Sequence, residues 1–118
     1  MSTIITVCGI TNCDTIKKTL HWFKQNLVEI KFHDYKKEGI TKEKLSAWCK
    51  LVGWETLLNK KSATWRGLSA EQQAMVTNQT AAIQLMMEKN SIIKRPVVEV
   101  GKKILVGFDE NIFNTTFK

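Results

Sequence analysis

Little in these 118 residues lends itself to cross-linking or to membrane insertion. The three cysteines, Cys8, Cys13 and Cys49, are an odd number and cannot pair off into a disulfide framework, and their spacings match no zinc-binding pattern. Free thiols fit a reducing compartment, so the expected location is the cytoplasm. No apolar stretch approaches the ~20 residues that a membrane helix needs, and "MSTIITVCGI" lacks the basic n-region of a signal peptide. No membrane association is expected, and in the cytoplasm the sequons at Asn78 and Asn114 have no role. Repeats, low-complexity tracts and linkers are also missing. One domain over residues 1–118 is the expectation, because the length suffices for one core and is short for two. There is a single proline, Pro96.

What is present is a globular composition with 43% hydrophobic and 25% charged residues and a formal net charge of +7. The basic balance admits anionic partners or simply a solvated basic surface. No basic stripe is interleaved with aromatics as in a single-strand nucleic-acid binder, so nucleic acid is not the expected partner.

Periodicity gives the elements. The β-branched "TIITVC" (3–8) reads as a buried strand, followed by a loop from Gly9 to Asn12. From Cys13, Ile16, Leu20, Phe23 and Leu27 recur at helical spacing as one buried stripe. Trp22 lies nearly opposite, which points to protein on two sides of that helix. "VEIKFHDY" alternates as a half-buried strand, and "KKEG" reads as a turn. Thr41 can cap a helix with Leu45, Trp48, Cys49 and Val52 on one face, stopped by Gly53. "WETLLN" reads as a short helix, "KKSATWRG" as an exposed loop, and Ser69 with Gln72 as a capping box. "TAAIQLMMEK" is a further helix. "VVEV" and "ILVGF" around "GKK" form a hairpin, and Asp109 can cap a last helix through Phe117. The order is β-α-β, a helical block over about 41–90, then β-β-α: an α/β chain with a small mixed sheet.

Cys13 stands where the first helix starts. The first N–H groups of a helix have no intrahelical acceptor, and the helix dipole places partial positive charge there. A thiolate at such a point is stabilised. Lys17, one turn on, adds attraction, while Asp14 opposes it. Cys13 is therefore the candidate nucleophile, against the alternative of an ordinary part-buried thiol. Cys8 in its strand and Cys49 on its apolar stripe read as core. Arg66 and Arg95 are candidate anion binders, since a guanidinium is a planar fork suited to oxyanions and carboxylates. On the residues alone, neither is distinguished from a solvated arginine. Most X–Pro bonds are trans, so nothing local favours a cis Arg95–Pro96 bond. His33 reads as structural and His21 as exposed.

Taken together, "GITNCDTIKK", "FHDYKKEG", "GWETLLNKKSATWR", "IIKRPVVEV" and "LVGF", in this order and spacing, resemble the arsenate reductase (ArsC-like) family over about residues 4 to 113. The match is to its Spx/YffB branch, most nearly the small YffB-type proteins. The resemblance implies a thioredoxin-like fold with a mixed four-stranded sheet and a helical insertion between the second and third strands. It also implies a cis Arg95–Pro96 bond beside the cysteine. Carried over position by position, Cys13 matches the nucleophile, Arg66 and Arg95 match two anion-binding arginines, and Thr11 to Thr15 match the active-site loop and helix start.

The expected substrate-binding set is thus Thr11, Asn12, Asp14, Thr15, Lys17, Arg66, Arg95 and Pro96. Two departures qualify the match. Gly107 stands where arsenate reductases proper use a third arginine, and Ile10 stands where Spx regulators carry the first cysteine of C-x-x-C. The implied activity is that of a thiol oxidoreductase with one essential cysteine. Cys13 attacks a disulfide sulfur or the arsenic of arsenate, and glutathione is the resolving thiol and co-substrate. Such chemistry needs no metal and no tightly held cofactor, only a small thiol or oxyanion substrate. The competing reading is an Spx-like module that binds RNA polymerase without turnover.

Overall fold

Strand β1, Ile5–Gly9, grows from the β-branched run near the start of the chain. The computed structural model describes residues 4–11 and 13–117. The strand begins later than the composition suggests and runs on to include Gly9, while Thr3 lies outside the described residues.

Helix α1, Asp14–Gln25, follows, with Cys13 at its N-cap in an extended conformation. Its buried residues are Ile16, Thr19, Trp22 and Phe23. Thr19 is a polar residue on the buried side, and its hydroxyl donates to the Thr15 carbonyl at 2.7 Å, which satisfies it locally. Trp22 is buried too, but in one cluster with Phe23 and Phe113 and against Phe117, and not on a separate second side. Leu27 does not join the buried stripe: it is 92% exposed, with φ at +57°. The helix ends in a Schellman motif, with Val28 N–H donating to the Phe23 carbonyl and Leu27 N–H to the Lys24 carbonyl. That motif needs a left-handed residue at position 27, where glycine is usual.

A left-handed L-residue costs about 1–2 kcal/mol, and glycine returns roughly 0.4–1 kcal/mol of this through unfolded-chain freedom. Leu27→Gly should therefore stabilise the protein by about 0.5–1 kcal/mol. The check is a urea midpoint that rises at unchanged slope; a lower midpoint would refute it.

Strand β2 is Lys31–Asp34, shorter than the alternating run from Val28 to Tyr35. Val28, Ile30 and Phe32 still turn to the core as the alternation predicts. Strands β3, Val97–Val100, and β4, Lys103–Val106, form the expected hairpin, with β4 ending before Gly107. The sheet order is β2-β1-β3-β4, with β1 parallel to β2 and antiparallel to β3, and β3 antiparallel to β4. Val7 therefore sits between Phe32 and Val98, and Cys8 between His33 and Val97. Helix α8, Glu110–Phe117, is capped by Asp109, whose side chain accepts from Ile112 N–H at 3.1 Å. Ile5, Val7 and Val98 on one sheet face pack with Trp22 and Phe23 of α1 and Phe113 of α8.

The chain divides into two compact units: the sheet unit, up to Asp34 and from Arg95 onward, and the helical unit Tyr35–Lys94. The helical unit covers the insertion expected over about 41–90. It holds α2 (Tyr35–Glu38), α3 (Lys42–Val52), α4 (Trp54–Leu57), α5 (Ala63–Arg66), α6 (Ala70–Ala74), α7 (Gln79–Glu88) and a 3-10 turn, Asn90–Ile92. The caps at Thr41 and Asn78 and the Ser69–Gln72 capping box each form.

Two local expectations fail. "KKEG" is not a plain turn, because Tyr35, fully buried, starts a helical turn there. "KKSATWRG" is not an exposed loop: Ser62 accepts from Trp65 N–H at 3.1 Å and caps α5, and Trp65 is buried. The ends of this unit meet. The Tyr35 carbonyl accepts from Asn90 Nδ2 at 3.1 Å, and the Tyr35 hydroxyl donates to the Ile93 carbonyl at 3.4 Å.

Candidate functional site

The sequence of β1 and α1 decides where the Cys13 sulfur is held. Gly9 closes β1, and the turn into α1 is so tight that a Cβ on Gly9 would run into the Ile16 side chain, which is itself fully buried. Only glycine lets the first turn of α1 sit against the end of the strand. Gly9→Ala should therefore destabilise the protein by about 1–3 kcal/mol. Pairing it with Ile16→Val should recover part of that loss, a non-additivity readable from thermal melts of the four proteins in the cycle. Additive losses would show that the two side chains do not collide.

Cys13 is part-buried, whereas Cys8 and Cys49 are 2% and 5% exposed. Burial pushes the Cys49 thiol up from 9.0, which holds it in the unreactive protonated form. The Cys13 side chain makes no capping hydrogen bond, while its carbonyl accepts the first helical bond from Lys17 N–H at 3.0 Å. Cys13 is thus the N-cap residue of a 12-residue helix, whose first N–H groups have no intrahelical acceptor. Asp14 and Lys17 are exposed and Thr15 part-buried around it. Asn12 lies outside the described residues.

The sheet register brings the proline to the same end. Val97 pairs with Cys8, so Pro96, one residue before it, adjoins the carboxyl end of β1 from which the Cys13 loop leaves. The Arg95–Pro96 bond is cis, as the family resemblance implied. Pro96 is buried, and its carbonyl accepts from Gly107 N–H at 2.8 Å.

Gly107 has φ at +89°. A residue with a side chain would hold that backbone only at a cost of about 1–2 kcal/mol, so the position is ill suited to carry an arginine. Arg95 is part-buried. The sheet unit therefore gathers Thr11, Cys13, Asp14, Thr15, Lys17, Arg95 and Pro96, while Arg66, exposed at the end of α5, belongs to the helical unit.

One residue escaped the sequence reading. Asp34, at the end of β2, is only 6% exposed, and its carboxyl oxygen Oδ2 accepts from the Thr11 hydroxyl. The signal was present in "FHDY": a charged residue set between core positions and, by the parallel register, directly opposite Gly9. Among the described residues no group of three or more side chains could hold a metal ion, and no helix is long and apolar enough to cross a membrane.

Comparison with known proteins agrees with this geometry. The sequence model of the ArsC family matches residues 8–116. A protein of Haemophilus influenzae with no characterised function is 40% identical over 114 residues, covering 97% of this chain and 99% of its own. The solved structure of a YFFB (PA3664) protein is 40% identical, with a TM-score of 0.92, covering 97% of this chain and 99% of that one. An arsenate reductase (ArsC) related protein from Brucella melitensis, solved in solution, is also 40% identical, with a TM-score of 0.80 and coverage of 100% and 98%.

Proposed function

Because this chain belongs to the ArsC family, we propose that it is a thiol oxidoreductase of a reducing cytoplasm, with Cys13 as its one essential cysteine and glutathione as its co-substrate. The observation that carries the reading is the contrast among the thiols. Cys13 alone is part-buried at the start of a long helix, and the other two are sealed in the core.

In the first step the Cys13 thiolate attacks one sulfur of a disulfide substrate. A Cys13–S bond forms, the substrate S–S bond breaks, and the departing thiolate takes a proton from water. A glutathione thiolate then attacks the mixed disulfide, restores Cys13 and carries away the second sulfur as a new disulfide. With arsenate, the same thiolate would displace a protonated oxygen from arsenic. Glutathione would then take the Cys13 sulfur as a mixed disulfide and leave the electron pair on arsenic as arsenite.

Arg95 would attract the oxyanion or a glutathione carboxylate, Lys17 would add charge, and the first amides of α1 would bind the anion at the helix start. Asp14 and Thr11 border that loop. Pro96 would shape the place where a thiol peptide lies. The left-handed Gly107 favours thiol substrates over arsenate, because the third guanidinium has no unstrained place on that backbone.

Intact mass after exposure of the wild-type protein to oxidised glutathione tests this. One adduct should form, map to Cys13 and disappear on adding reduced glutathione. An adduct on Cys49 would overturn the reading. So would an unmodified Cys13 in a protein retained on RNA polymerase α subunit, which is the outcome for a binding module without turnover.

A further inference from the structure

The β1–α1 loop carries the reactive sulfur, and one side chain of that loop is bound to a neighbouring strand. Thr11 lies two residues before Cys13 and is itself exposed, yet its hydroxyl is committed to Asp34. Asp34 is not a surface carboxyl. It is 6% exposed, it ends β2, and the parallel register sets it against Gly9. Withdrawing a carboxyl from water costs several kcal/mol unless partners satisfy it. A buried aspartate at this place therefore calls for a reason beyond packing.

Helix α1 fixes only the far side of the loop. It begins at Asp14, and the Cys13 side chain makes no capping bond that would hold the residue to the helix. On the near side, Gly9 is the last residue in the ladder. Ile10, Thr11 and Cys13 have neither strand nor helix to hold them, and the Thr11–Asp34 bond ties this stretch to β2.

We infer that Asp34, acting through the Thr11 hydroxyl, is the positioning residue that holds Cys13 at the amino end of α1. The inference rests on Cys13 being the reactive sulfur, but it concerns what sets that sulfur's position and not which substrate it meets. It gives Thr11 a role inside the protein in place of a direct contact with substrate.

Iodoacetamide provides a probe that needs no natural substrate. Second-order rates of Cys13 alkylation would be measured at neutral pH for wild type, Thr11→Val, Thr11→Ser, Asp34→Asn and the Thr11→Val/Asp34→Asn double variant, with thermal melts in parallel. Thr11→Val keeps shape and loses only the hydroxyl. It should slow alkylation by about fivefold to tenfold, in line with a lost hydrogen bond to a carboxyl group. Thr11→Ser, which keeps the hydroxyl, should stay within about twofold of wild type. The double variant should be no slower than the slower single variant, because Asp34 acts through the Thr11 hydroxyl and its replacement changes nothing further once that hydroxyl is gone. Cys8 and Cys49 should stay unlabelled in every protein, which separates a displaced sulfur from a loosened fold.

Wild-type rates in folded Thr11→Val would overturn the inference, as would slowing in Thr11→Ser equal to that in Thr11→Val, or effects that multiply in the double variant. Should Asp34→Asn fail to fold, the Thr11 pair decides. If oxidised glutathione fails to modify the wild-type protein while iodoacetamide reproduces the pattern above, the proposed reaction fails and the positioning role stands.

Discussion

Cys13→Ser should accept no glutathione from oxidised glutathione and should reduce no disulfide, while folding as well as the wild type or better. A serine hydroxyl is not ionised at neutral pH and cannot form a disulfide, so the loss of chemistry is complete. The other thiols cannot substitute, being 2% and 5% exposed, with the Cys49 thiol pushed up by burial. The stability half of the prediction comes from the cap. Cys13 occupies an N-cap position without making the side-chain bond that serine makes there, and a good N-cap residue contributes about 0.5–2 kcal/mol. Serine should thus raise the unfolding midpoint or leave it unchanged. If Cys13 is the nucleophile proposed above, a thiol at this position gives up that capping energy for reactivity, the usual direction of a stability–activity conflict. Mass spectrometry and urea unfolding on the same sample check both halves. Glutathione uptake at the wild-type rate in Cys13→Ser would remove Cys13 from the mechanism.

The largest effect on stability is expected at Phe113. Its ring is fully buried on the sheet face and lies against four other aromatic rings: Trp22 at 5.3 Å, Phe23 at 5.4 Å, Phe108 at 5.2 Å and Phe117 at 5.5 Å between centroids. Three of the four contacts are edge-to-face, the geometry in which ring quadrupoles attract. Truncating a buried phenylalanine costs about 3–5 kcal/mol through lost transfer energy and the cavity left behind. Phe113→Ala should approach the upper end, because a rigid aromatic cage cannot collapse into the space. Chemical unfolding would measure it. A loss below about 1 kcal/mol would mean that α8 contributes little to covering the sheet.

Much of the sheet unit was legible, because its signals are strong and local. β-branched runs marked β1 and β3, "GKK" marked the hairpin turn, and Asp109 marked the last cap. The start of α1 at Cys13 was equally clear. The misreadings share a physical cause. Leu27 sits at the helical period, but the Schellman turn at Asn26 ends the helix first, and no glycine announced it. Helices α2 and α5 each span only four residues, fewer than the two turns over which a hydrophobic period can be recognised. The buried Trp65 within "KKSATWRG" was the clue to α5, since Ser62 three residues before it has the spacing of a cap. At the site, the cis proline could be named from motifs in register, and the same motifs singled out Cys13 as the candidate nucleophile. Asp34 could not, because its partner is 23 residues away in sequence and only the strand pairing brings them together.

The clasp between Tyr35 and the segment from Asn90 to Ile93 has a consequence for how such a chain could arise. A segment whose first and last residues touch behaves as a cassette: it can enter a host fold at one splice point and ask little rearrangement of it. The host here is the four-stranded sheet with its two helices, and the junction falls at Asp34 and Arg95. Exchanging one cassette for another would leave the sheet unit and the residues it carries in place, which is an economical way to diversify a single host fold.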